Sequence, residues 1–249
     1  MIRDGDGKLV KTVKGTNKKG FNRVNWKLNI ADRSGERLKI PKKAEEYFNF
    51  NVMATPGDYT VTLCKLIDGE LTELHPTKSF KVTPLRKGAL EGASYEEINN
   101  FREEFHQFEQ DLKSTELVLS KSILKIKAMQ RATLKSSNPS KDLLKEIQHI
   151  RSSLLNLDKL LNGNKAKNII GEKNSPRSIK DVSFIAEVGL SSSTYGPTET
   201  HKSSLNMANK ELKNIKLLLK KILETDMRSL EGKLKAIAKA IIPVLVDFP

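Results

Sequence analysis

The chain of 249 residues holds a single cysteine, Cys64, which excludes an internal disulfide and leaves the redox compartment open. It holds no run of about 18 apolar residues, so no membrane-spanning helix is expected. Its most apolar stretch, Ala236 to Val246, is interrupted by Lys239 and Pro243. Aromatic residues are only 6% of the chain, too few for the base-stacking platforms of single-strand nucleic-acid sites. The four histidines form no metal-binding motif: His106 and His149 lie on different predicted helices, with Glu109 at i+3 of His106 but no second histidine near either, His75 precedes Pro76, and His201 lies in the first turn of the last helix. Glycine-rich phosphate loops, a Gly-x-Ser-x-Gly elbow and cysteine clusters are also missing. No catalytic residue, metal site or cofactor is therefore expected.

What is present is charge, low mean hydropathy and one change of period. The net charge of +14 comes mainly from lysine. On the last helix Lys210, Lys213, Lys216, Lys220 and Lys221 fall mostly outside the apolar stripe, the pattern of a solvated face. A nucleic-acid partner is therefore not expected, although a basic adaptor binding nucleic acid or acidic surfaces is kept as an alternative. A mean hydropathy of −0.46 fits thin helical layers with much polar surface.

The period changes between Pro84 and Ser94. Before it, Tyr59, Val61 and Leu63 alternate with Thr60, Thr62 and Cys64, as strand residues do. After it, apolar residues recur three and four apart, as in Ile98, Phe101, Phe105, Phe108 and Leu112. The fold class expected is α+β in two domains: an antiparallel Ig-like β-sandwich over 1–85, a linker over 86–93, and an antiparallel helical bundle over 94–249.

In the β half, strands are predicted at 9–13, 21–28, 57–66 and 78–83. Turns are predicted at Asp4-Gly5-Asp6-Gly7, 15–20, Pro56-Gly57 and Asp68-Gly69, the last a tight hairpin loop. Ala31 to Thr55 reads as a long loop or edge insertion. Asp4-Gly5-Asp6-Gly7 imitates the start of a calcium loop, but Lys8 and Leu9 follow where oxygen ligands would be needed, so a hairpin turn is favoured. Trp26 is a candidate sugar-stacking residue, yet it shares one strand face with Val24 and Leu28, which favours core packing. The first strand begins at Ile2 with no signal peptide ahead of it, the pattern expected of a piece of a longer polypeptide.

In the helical half, Ser94-Tyr95-Glu96-Glu97 forms a capping box. No Pro or Gly follows until Pro139, which allows a helix of about 40 residues, about 60 Å long. A second helix carries Leu143, Leu144, Ile147, Ile150, Leu154, Leu157 and Leu161. A loop over 162–176 precedes a short helix near 178–190. The last helix runs from about Thr198 to Ile242, with apolar positions Leu205, Ala208, Leu212, Ile215, Leu219, Leu223, Met227, Leu230, Leu234, Ile237 and Ile241. Two successive fours at Leu219, Leu223 and Met227 form a stutter. The two shorter helices together nearly equal one long helix, which predicts an up-down-up bundle with a broken middle helix. Asp226 falls near the stripe at the stutter, where a buried acid would need a Lys or His from a facing helix. A packing irregularity is favoured there over a site.

Three motifs occur in order: Ile2-x-Asp4-x-Asp6-Gly7-x-x-Val10-x-Thr12, then Gly20-Phe21-Asn22-Arg23-Val24-Asn25-Trp26-x-Leu28, then Pro56-Gly57-Asp58-Tyr59-Thr60-Val61-Thr62-Leu63. Together they resemble the Ig-like module of flagellar hook-assembly proteins. They are more similar still to the module that ends bacterial sortilin-like proteins with Asp-box (BNR) repeats, often labelled glycosyl hydrolases. That family departs from this chain in having Trp-Asp-Leu where Trp26-Lys27-Leu28 stands, and Asp-Pro-Arg where Thr83-Pro84-Leu85-Arg86 stands. Its Tyr-x-x-Pro-Thr approach to a final helix is similar to Tyr195-Gly196-Pro197-Thr198, which makes Tyr195 an interaction candidate. The resemblance implies a secreted, periplasmic or envelope protein with an N-terminal propeller in cis. It also implies a non-catalytic scaffold or protein-interaction role for this region, or alternatively a place in a carbohydrate-active, sialidase-like protein whose catalytic residues would sit in the propeller, with a glycan as a candidate ligand.

Overall fold

The computed structural model describes residues 1–31, 53–86, 88, 91–136, 139–172, 176–193 and 195–241. Most of the 31–55 insertion, Ser137 and Asn138 of the predicted helix break, the Ile237 and Ile241 side chains, and the Pro243 stop lie outside the described residues. Helix dominates, and the chain has the two-domain α+β layout. It separates into two compact units, one of residues 1–106 with 187–199 and the other of residues 107–186 with 200–249. The first turns of the long helix therefore group with the β half, whereas the linker predicted at 86–93 would have parted them.

The β elements are short. β1 (Ile2–Asp4), β2 (Leu9–Lys11), β3 (Gly57–Val61) and β6 (Lys78–Val82) form one antiparallel sheet in the order β2-β1-β3-β6. β4 (Cys64–Ile67) and β5 (Glu70–Glu73) form a separate antiparallel pair. Asp68 (φ 50°) and Gly69 (φ 84°) both take positive φ, the signature of the two-residue turn whose twist suits a hairpin. The Asp4-Gly5-Asp6-Gly7 turn is also local: the Asp4 carboxylate accepts from the Lys8 amide at 2.8 Å and so closes the loop between β1 and β2.

Two predicted strands are corrected. Residues 21–28 form no ladder, and only an isolated bridge joins Asn29 to Met53. Leu28 sits at φ 56°, which ends any extended run, and Val24 is 55% exposed. The Trp26 indole N–H donates to the Asn29 carbonyl at 2.9 Å, satisfying itself in a local turn. The predicted strand 57–66 is two strands. After Val61 the chain leaves the larger sheet, so Thr62 is only 4% exposed while Leu63 is 62% exposed. Thr62 is held on three sides: its amide donates to the Met1 carbonyl, its carbonyl accepts from the Met1 ammonium, and its hydroxyl bonds Thr77 at 2.8 Å. That anchoring reverses the alternation expected of Tyr59, Val61 and Leu63, of which only Tyr59 is buried.

The helices are α1 (Tyr95–Lys135), α2 (Lys141–Asn162), a five-residue α3 (Lys165–Ile169), α4 (Ile179–Ser192), α5 (Glu199–Lys221), a π-helical turn (Ile222–Met227) and α6 (Arg228–Ile241). Three starts are capped by serine. Ser94 Oγ accepts from the Glu97 amide, Ser140 Oγ accepts from the Leu143 amide, and Ser178 exchanges hydrogen bonds with Asp181 in both directions.

On α2 and along much of α1 buried positions alternate by four and three. On α2 they are Leu143, Ile147, Ile150, Leu154, Leu157 and Leu161. On α1 they include Leu112, Thr115, Leu119, Ser122 and Ile126. This is the repeat of 3.5 residues that keeps a seam facing its neighbours. The hydroxyls of Thr115 and Ser122 each donate to the carbonyl four residues back, at 2.7 Å, so these polar residues enter the seam satisfied.

Ion pairs in the helical unit give the chain directions. Asp111 pairs with Lys216 at 3.0 Å, and Lys125 pairs with Glu231 at 2.7 Å, so α1 and the α5–α6 run point the same way. Glu146 near the start of α2 pairs with Lys233, and Lys180 at the start of α4 pairs with Glu116. From α2 to α4 the chain thus runs back along α1, and the up-down-up course with a broken middle helix is present. Surface pairs of this kind contribute about 0–1 kcal/mol each, and here they mark register more than stability.

Candidate functional site

The stutter in the last helix has a structural counterpart. Lys125 stands 14 positions after Asp111 on α1, whereas their partners Lys216 and Glu231 stand 15 positions apart. The π turn at Ile222–Met227 absorbs the additional residue, since each residue inserted into an α-helical ladder widens one turn locally. The sequence pattern predicts the seam as Leu219, Leu223 and Met227. The structure instead buries Leu219, Ile222, Met227 and Leu230, a spacing of three, five and three. Ile222 enters the seam, and Leu223 is turned to its edge.

Leu223 there helps to line an apolar groove of about 670 Å³ between α1 and the α5–π segment. Thr115, Val118, Leu219 and Leu223 provide its apolar surface. The Thr115 and Ser114 hydroxyls are both committed to the Asp111 carbonyl. Lys213, Lys216 and Lys220 stand along one side at i, i+3 and i+7, with Glu224 at the end. Lys216 reaches Asp111, and Lys220 lies 4.0 Å from Glu224, both as exposed pairs. Among the described residues that line the groove, no nucleophile stands beside a base. Its chemistry is that of hydrophobic burial inside a cationic rim.

The three residues singled out from sequence occupy separate settings. Trp26 belongs to the β core, where its ring lies 5.4 Å from that of Tyr59 and 6.0 Å from that of Phe80, both edge-on. Tyr59 and Phe80 stack at 5.9 Å, and the three rings lie against the buried cluster of Ile2, Val10, Ala54 and Tyr59. Tyr195 works through its backbone: its carbonyl accepts from the Ala93 amide at 2.8 Å. A Cβ on Gly92 would stand 2.7 Å from that carbonyl oxygen, so only glycine permits the approach. Gly196 has φ +91°, and a Cβ there would meet Ala93 at 2.7 Å and Ile98 at 2.9 Å. The backbone at Tyr195 and Gly196 is thus a clamp on the segment that starts α1. Asp226 lies half-buried inside the π turn, three residues beyond Leu223.

A second apolar surface lies in the other unit. Leu63, Leu66, Ile67, Leu71 and Leu74, on and beside the β4–β5 hairpin, are all exposed. Among the described residues no group of three or more His, Cys, Asp or Glu side chains is placed to hold a metal ion, and no helix is long and apolar enough to cross a membrane.

The groove was not legible as a site in the sequence. Its only signal is the run Leu217-Leu218-Leu219 followed by Leu223, which has more leucine than one seam can bury. No family model, curated protein or solved structure matches this chain.

Proposed function

We propose that this chain is a non-catalytic scaffold and protein-interaction module. The observation that carries this reading is the lysine-rimmed apolar groove on the helical unit, an uncovered surface lined by leucine and valine with no reacting group beside it. The exposed leucines and isoleucine of the β4–β5 hairpin add a second surface of the same chemistry. The order of the three β motifs and the Tyr195-Gly196-Pro197-Thr198 approach support placing the module beside a propeller in a secreted or envelope protein.

The test uses photo-crosslinking side chains introduced singly at Leu223 and at Leu71 in the cells that make the protein. A discrete adduct with a defined protein from at least one position is the expected result. Absence of any discrete adduct from both positions, or turnover of a broad glycan panel by the purified chain, would overturn the reading.

A further inference from the structure

We infer that the groove between α1 and the α5–π segment receives an amphipathic, acid-flanked helix of a partner protein. This inference rests on the interaction-module reading and names the partner's chemistry at one site. Direction and space come first. α1 and α5 point the same way, as their ion pairs record, and a slot between two parallel helices is the place where a bundle of alternating direction carries a further helix. The lining residues on the last helix run from Lys213 to Glu224, about three turns, or about 16 Å at 1.5 Å per residue. A short helix with anchors at i, i+4 and i+7 matches that length, which is how amphipathic segments occupy hydrophobic grooves.

The position of Leu223 is the second support. A regular α-helix would use it in the molecule's own seam, but the π turn gives that place to Ile222 and leaves Leu223 at the groove. An apolar side chain is thereby directed to a surface where its own bundle does not bury it fully. π turns of this kind are frequent at functional positions.

The rim decides the occupant. Lys213, Lys216 and Lys220 line one side; Lys216 pairs with Asp111 and Lys220 lies 4.0 Å from Glu224, both as exposed pairs, so three lysines stand against two acids and the rim keeps a net positive charge. The chain as a whole carries +14. A second copy would bring a cationic surface against this cationic rim, so like charges oppose that solution. A helix with glutamates or aspartates flanking its apolar stripe meets the lysines with opposite charge and the leucines with apolar surface.

The probe is a fluorescent peptide of about 18 residues, roughly 27 Å as a helix, with leucines at i, i+4, i+7 and i+11 flanked by glutamates. Anisotropy is read with the full chain in about 0.15 M salt, where the Debye length is about 8 Å. Two controls are a peptide with lysines in place of the glutamates and an acidic peptide of scrambled order. The striped acidic peptide is expected to bind at least about tenfold more tightly than either control. Leu223→Asp should remove that advantage while leaving the helical circular dichroism unchanged. The double variant Lys213→Glu/Lys220→Glu should transfer the preference to the lysine-flanked peptide. Equal binding of the scrambled peptide would reduce the groove to diffuse charge and overturn the inference. So would absence of binding, or a dimer in sedimentation that Leu223→Asp dissolves. If the Leu71 adduct persists while the groove binds no peptide, the groove assignment fails and the module reading stands. If neither position yields an adduct, the module reading itself fails.

Discussion

The two halves of the molecule hold themselves together in different ways. The helical unit repeats one device: apolar residues four and three apart on successive helices, each fully buried one contributing about 1.5–3 kcal/mol by removal from water. The β half has strands of only three to five residues and a small buried cluster of Ile2, Val10, Ala54 and Tyr59, closed by the rings of Trp26 and Phe80. Its order depends on contacts between distant parts of the chain, such as Met1 with Thr62 and Tyr59 with Phe80. A helical seam restates its instruction every turn, so a single deviation is absorbed locally, as the π turn absorbs one residue. A small sheet has no such redundancy, and around one anchored residue, Thr62, the strand pattern is inverted, with Val61 and Leu63 both exposed.

The chain has one tryptophan, Trp26, and it lies in the β core, so its fluorescence follows that half while far-ultraviolet circular dichroism follows the helices. The largest expected effect is that of Ile147→Ala in the α2 seam, where the side chain is fully buried. The helical transition should lose about 2–5 kcal/mol in chemical denaturation. If the comparison holds, the Trp26 transition stays in place; a shift of equal size in both signals would break it by joining the halves into one cooperative unit. Gly196→Ala comes next. Its left-handed backbone and the 2.7 Å approach to Ala93 should lower stability by about 1–3 kcal/mol, read as a drop in thermal midpoint. An unchanged midpoint would show that the clamp on the start of α1 carries no stability.

Smaller effects sharpen the contrast. Ser178→Ala removes the Oγ acceptor of the Asp181 amide at the start of α4, with an expected loss of about 1 kcal/mol in the helical transition and none in the tryptophan signal. The smallest is Lys233→Ala, which breaks the exposed pair with Glu146 and should change stability by less than about 1 kcal/mol, less again in high salt. A larger loss, insensitive to salt, would mean that the pair does more than mark register.

Much of the helical architecture was readable from residue order alone. All six buried residues of α2 stand at predicted positions, and Ser94 caps α1 as its box predicts. The stutter was visible as an irregularity, but its resolution was not. Two successive fours and a three followed by a five cover the same eight residues, and choosing between them requires the neighbouring helix. The β half was less readable for the same reason: Val24 alternates with Trp26 in sequence, yet of the two only Trp26 reaches the core. The short α3 inside the predicted loop 162–176 was also missed, since five residues are too few for a periodic signal.

By itself the sequence determined the apolar period of each half, the serine caps and the Asp68-Gly69 turn. These are settled by interactions within a few residues, where backbone geometry and local hydrogen bonds leave few alternatives. Only the tertiary structure decided that Ile222 rather than Leu223 enters the seam, that Thr62 is buried and Leu63 exposed, and that Gly92 meets Tyr195 and Gly196 meets Ala93 across about a hundred residues of chain. Those outcomes depend on which surface is already occupied by a partner remote in sequence. The groove that Leu223 lines is a consequence of that kind.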